Sequence, residues 1–218
     1  MLLKEYCAEN YTCLPAAIAN GASRIELCDN LSVGGTTPST GVIEESLSYA
    51  GEKEVPLMTM IRPRGGDFIY NDIELRIMET DLIEAKKLGV DGVVFGCLTP
   101  NNWLDEEALE RLIAAAEGLQ ITFHMAFDQI PVAQQYEAID WLSEHGVTRI
   151  LTHGGPNGTT IQENLEHLRE LINYANHRLT ILPGGGITAE NTEDLAKQLG
   201  VNEVHGTKII SLPEKDAE

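Results

Sequence analysis

The chain has 218 residues, 43% of them apolar, which suits one large domain with a sizeable core and is too apolar for a disordered chain. Its 34 acidic and 15 basic residues leave a net charge of -19. Nucleic acid and anionic membrane both select clustered Lys and Arg, so neither is expected as a partner; the acidity reads as a solvated surface, with room for a local basic site inside it.

The N-terminal MLLKEYCAEN has no long apolar run before a small-residue cleavage site, and no stretch approaches the roughly 18 apolar residues of a membrane span. A cytoplasmic protein with reduced thiols is expected. The four cysteines (Cys7, Cys13, Cys28 and Cys97) contain no CxxC pair of the structural zinc type.

In chain order, the first strand-like run is Leu2–Ala8, with Glu5 and Cys7 two residues apart and therefore on one face. Glu26 and Cys28 repeat the pattern 21 positions later. A carboxylate on a buried face needs a partner or becomes neutral, so the doubled pattern predicts a polar site inside the fold. A second repeat sets the architecture. Gly21-Ala22-Ser23-Arg24-Ile25, Gly89-Val90-Asp91-Gly92-Val93, Gly146-Val147-Thr148-Arg149-Ile150 and Gly200-Val201-Asn202-Glu203-Val204 each follow a helix-like stretch and enter a β-rich run. The leading glycine fits a helix C-cap with positive φ. Further strand-like runs are Leu57–Arg62, Ile121–Phe127 and Thr180–Pro183, and helical periodicity marks Asn71–Lys87, Asp105–Glu117, Ile161–Ala175 and Ala189–Leu199. Strand and helix alternating eight times predict parallel strands in a single (β/α)8 barrel over residues 1–218, with an open doubly wound sheet as the alternative.

Function in such a barrel sits at the C-terminal strand ends and the loops after them. By parity Arg62 and Arg64 share a face, as do His124 and Asp128, and Glu203 and His205. Glu26, Arg62, His124 and Asp128 form a candidate acid–base set, with Glu5, Arg64 and His205 as substrate contacts. The structural alternative is a buried ion-pair layer in which Glu26 pairs with Arg62. Gly184, Gly185 and Gly186, before a helix, suggest an anion cradle to which Thr207 adds a hydroxyl; a tight turn that needs glycine for steric reasons explains the same run. Cys7 and Cys28, expected at one depth on neighbouring strands, are candidate ligands for Cu(I), a soft ion that favours thiolate, or else two small buried apolar side chains. Cys13 and Cys97 read as packing. His145, His153, His167 and His177 fall on loops or helix surfaces, only His153 near the mouth.

Ile25-Glu26-Leu27-Cys28-Asp29-Asn30-Leu31, Gly34-Gly35-Thr36-Thr37-Pro38-Ser39, Met60-Ile61-Arg62-Pro63-Arg64-Gly65-Gly66-Asp67-Phe68, Gly92-Val93-Val94-Phe95-Gly96, Phe123-His124, Ala126-Phe127-Asp128 and Pro183-Gly184-Gly185-Gly186-Ile187 resemble the CutC copper homeostasis family over nearly the whole chain. The resemblance implies a (β/α)8 barrel, a cytoplasmic location and a role in copper handling, with Cu(I) on the cysteines ending strands one and two, here Cys7 and Cys28. Many members carry His-Arg-Ala-Phe-Asp where this chain has His124-Met125-Ala126-Phe127-Asp128. By parity Met125 is expected to point away from the barrel interior. The chain also ends soon after the eighth strand, without the longer extension of some relatives. Two readings stand: a copper homeostasis protein without organic cofactor, or an isomerase- or lyase-type enzyme acting on a phosphorylated or sugar-like small molecule. The partner is then a copper ion or a small anion, and a homo-oligomer is compatible with either.

Overall fold

A computed structural model describes residues 2–156 and 158–212. Eight parallel strands form one nearly closed barrel in the hydrogen-bonded order β7-β6-β5-β4-β3-β2-β1-β8. They are β1 (Leu3–Glu9), β2 (Arg24–Cys28), β3 (Leu57–Met60), β4 (Gly92–Phe95), β5 (Gln120–Phe123), β6 (Arg149–Thr152), β7 (Thr180–Pro183) and β8 (Glu203–Gly206). The helices between them are α1 (Leu14–Ala19), α2 (Thr40–Glu52), α3 (Asp72–Leu88), α4 (Glu106–Ala115), α5 (Gln135–Glu144), α6 (Leu165–Ala175) and α7 (Thr192–Leu199). The expected doubly alternating barrel is present and the open sheet is not. An eighth helix is absent from the described residues, and residues 213–218 of the expected domain lie outside them.

The four repeat glycines do what their position predicts. Gly21, Gly89, Gly146 and Gly200 have φ of +104°, +94°, +82° and +69°, and no atom lies within 4 Å of where a Cβ would stand. Glycine is required there by backbone conformation alone, not by crowding. At its other end α3 has a full capping box: Asn71 accepts from the N–H groups of Ile73 and Glu74, and the Glu74 carboxylate accepts from the Asn71 N–H.

Two apolar layers result. Outward residues of the strands, among them Ile25, Leu27, Leu57 and Ile150, pack with the helices in one large core. Inside the barrel lies a separate small cluster of Cys7, Cys28, Met58, Met60 and Val94. Below it is a charged layer. Arg24 pairs with Glu5 through Nε and with Glu203 through Nη1 at 2.8 Å, and Arg149 reaches Glu203 at 3.2 Å and bonds Gln120. A buried ion-pair layer therefore exists, but its members are Glu5, Arg24, Arg149 and Glu203. The Glu26–Arg62 pair that parity suggested does not form.

The barrel closes through a seam. β7 and β8 lie side by side, and the loops after them join through a Thr188–Lys208 bridge in which the Ala189 N–H donates to the Lys208 carbonyl at 2.9 Å.

Candidate functional site

A cavity of about 510 Å³ occupies the C-terminal mouth of the barrel, a size ordinary for a small-molecule pocket. Strand ends supply Cys7, Glu26, Met60 and His205; the segments after β3, β5, β7 and β8 supply Arg62, Phe68, His124, Met125, Gly185, Gly186, Thr207 and Lys208.

Register decides how the thiols meet. Cys7 is level with Glu26, Glu5 with Arg24 and His205, and Cys28 with Glu9. The two Glu-x-Cys repeats are thus staggered by two residues, not at one depth as the repeat suggested. The stagger is the shear by which parallel strands close into a barrel. It still leaves the sulfurs of Cys7 and Cys28 4.0 Å apart, and Cys28 Sγ 3.6 Å from Glu26 Oε2. Gly35, in the loop after β2, lies over Cys28, where a Cβ would stand 3.1 Å from the sulfur.

His205 joins this group between two carboxylates. Its Nδ1 is 2.8 Å from Glu5 Oε1 and its Nε2 is 3.6 Å from Glu26 Oε2. Ligand atoms of Cys7, Glu26 and His205 all lie within 4.8 Å of one another. Burial opposes charge on His205, yet the Glu26 charge and the hydrogen bonds it donates to Cys7 and Glu5 raise it well above the usual imidazole range. Glu5 shows the complementary effect: burial works to raise it, but His205 and Arg24 hold it down to about 2. Burial and the nearby Glu5 raise Glu26, against the pull of His205. The hydrogen bond to Cys28, with burial, lifts the Cys7 thiol well above its ordinary value. At Cys28 the bond from Cys7 favours thiolate, but burial and Glu26 outweigh it and push the thiol to about 11. A metal bound here would displace thiol protons.

The sulfur separation fits such an ion. Two bonds of roughly 2.3 Å, the zinc–thiolate length, would span about 4.6 Å in a straight line. A spacing of 4.0 Å would let Cys7 and Cys28 hold one soft ion together, and a ring nitrogen of His205 lies within 4.8 Å of the Cys7 sulfur.

The rest of the expected set is divided. Arg62 and His124 line the cavity. Arg64 does not: β3 ends at Met60, parity lapses beyond it, and Arg64 turns outward to Glu74 at 2.5 Å and Asp67 at 3.0 Å. Asp128 is likewise diverted. β5 ends at Phe123, and Met125–Gln129 form a 3₁₀ turn, so His124 and Asp128 no longer share a strand face. Asp128 accepts from the Thr152 hydroxyl and from the His153 and Gly154 N–H groups, away from the cavity lining. The same turn brings Met125 into the lining, against the expectation that it points outward. Gly185 and Gly186 reach the cavity, but Gly184 does not; its N–H bonds the Thr152 carbonyl, and a Cβ there would meet Leu151 at 2.5 Å. Phe68, Met60 and Lys208 were missed. Met60 and Phe68 carried a signal, at the two ends of the Met60–Phe68 string; Lys208 carried none.

The CutC family profile matches residues 2–210. This chain belongs to the CutC family. A CutC-family protein of Enterococcus faecalis is 68% identical over 209 residues, covering 96% of this chain and all of that one. The human protein named copper homeostasis protein cutC homolog is 40% identical over 205 residues, covering 93% of this chain and 72% of its own length. The crystal structure of CutC from Streptococcus agalactiae superimposes with a TM-score of 0.93 at 53% identity, covering 96% of this chain and all of that one.

Proposed function

We propose that this CutC-family protein serves copper homeostasis by holding Cu(I) on the thiolates of Cys7 and Cys28, as a cytoplasmic protein. The observation that carries the reading is the pair of buried sulfurs 4.0 Å apart, that of Cys7 in a residue lining the cavity and that of Cys28 in one outside its lining. Soft thiolate ligands select Cu(I), and the name of the human relative points the same way. On losing its proton His205 would supply the third ligand through Nε2, with Glu5 behind it on Nδ1 to fix the ring. Metal-binding histidines are commonly oriented by a carboxylate in this way. No helix among the described residues is long and apolar enough to cross a membrane.

The acid–base enzyme reading is not advanced, because the mouth gathers Glu26, Arg62 and His124 but leaves Arg64 and Asp128 outside.

Competition titration against a Cu(I) chelator under reducing conditions tests the copper reading. Cys7→Ser and Cys28→Ser should each weaken Cu(I) by more than roughly 100-fold, beyond the range of outer-shell changes, while Glu5→Gln should fall within roughly 10–100-fold. Unchanged affinity in the double serine variant would sink the thiol site.

A further inference from the structure

Arg62 is a buried cation in ion-pair contact with no carboxylate among the described residues, the Asp67 charge acting on it only from further off. It is 4% exposed. Its Nη1 donates to the carbonyls of Val33 and Gly35 at 2.9 and 3.0 Å, and its Nη2 to that of Gly66 at 2.7 Å. Its guanidinium carbon lies 4.9 Å from the centre of the Phe68 ring. All of these partners are neutral, and the Nε–H has none. Buried charges are normally paired, because an uncompensated ion in a low-dielectric interior is strongly unfavourable.

His124 repeats the pattern beside it. Also 4% exposed, it packs on the same Phe68 ring with centroids 4.7 Å apart. Its Nδ1 accepts the Ala126 N–H at 3.2 Å, which places the proton of the neutral ring on Nε2, and that atom too is unpartnered. Gly96 makes the fit possible, since a Cβ there would stand 2.7 Å from the imidazole. Both side chains line the cavity, and the exposed Lys208 adds a second cation to its wall. The cavity's carboxylate, Glu26, faces His205 and Cys28. Two unused donors, one of them charged, thus sit on side chains that line a space whose other walls include Leu31, Met60, Phe68 and Leu151.

We propose that the cavity is a binding site for a small organic anion, a carboxylate or a phosphorylated compound, whose oxygens take the Nε–H of Arg62 and the Nε2–H of His124 while its apolar part rests on Phe68. The site adjoins the thiols without using them, so it stands or falls separately from copper binding.

The full chain would be titrated by calorimetry and thermal shift with inorganic phosphate, glycerol 3-phosphate, acetate, butanoate and benzoate at millimolar concentrations. At least one should bind saturably at one per chain and raise the unfolding midpoint. Selectivity among the probes tells phosphate from carboxylate. His124→Asn keeps an acceptor for the Ala126 N–H but deletes the Nε2 donor, and should weaken binding about tenfold or more. Arg62→Lys, which keeps the charge and loses the Nε donor, should do the same. In the unaltered protein with ¹⁵N-labelled histidine, the bound anion should shift the Nε2 resonance of His124, a readout independent of variant folding. Saturation by no probe, or an unmoved His124 resonance on binding, would overturn the proposal.

Discussion

His124 follows the last residue of β5 and is held neutral by its surroundings. Burial, then the Arg62 charge, depress it from 6.5 to about 3. Below pH 6.5 the unfolded chain takes up a proton at this residue that the native state does not, so native stability falls as pH falls from 6.5 toward 3. This group alone should remove about 2 kcal/mol between pH 6.5 and 4.5. Chemical denaturation across that range should show a shallower slope in His124→Asn than in the parent; equal slopes would mean that His124 is protonated in the native state. Cys7, Glu26 and His205 were legible because residues two apart on a strand share a face, and their strands persist through them. Arg64, Asp128 and Met125 were misplaced because the same rule was carried past Met60 and Phe123, where the strands stop.

Elements were legible where a residue type has one local use. The glycines after α3 and α7 cap helices at positive φ in open space. Gly89→Ala should therefore cost about 1 kcal/mol from backbone strain alone. Asn71→Ala, which removes the cap at the opposite end of α3, should cost about 1 kcal/mol as well. Urea denaturation of the two variants checks both, and a loss several times larger would place packing, not capping, at those sites. Helix starts were less legible. Ile161 and Ala189 looked helical, but α6 begins at Leu165 and α7 at Thr192. Local side-chain bonds hold both approaches in turns: the Glu163 carboxylate takes the Thr160 N–H and hydroxyl at 2.7 and 2.8 Å, and Asn191 accepts the Thr188 N–H at 2.8 Å. Such bonds compete with the helix ladder.

At the scale of the whole molecule, the layer of Glu5, Arg24, Arg149 and Glu203 ties β1, β2, β6 and β8 together across the barrel. Arg24→Met would leave Glu5 and Glu203 partly uncompensated in the interior and should cost about 3–5 kcal/mol. Glu5→Gln added to it should restore part of that loss, since the two positions are coupled. Simple additivity of the two changes in denaturation would argue against the network. By itself the sequence determined the alternation of strand and helix, the glycine caps and the polar faces of the first two strands, because these follow from backbone geometry and side-chain period within a few residues. Only the tertiary structure decided which charges meet. The parallel register sets Cys7 beside Glu26 and Glu5 beside Arg24 and His205, and it lets Arg62 find carbonyls, not a carboxylate. Those pairings join residues up to 200 positions apart, and they depend on barrel stagger and loop course, which no local pattern in the chain encodes.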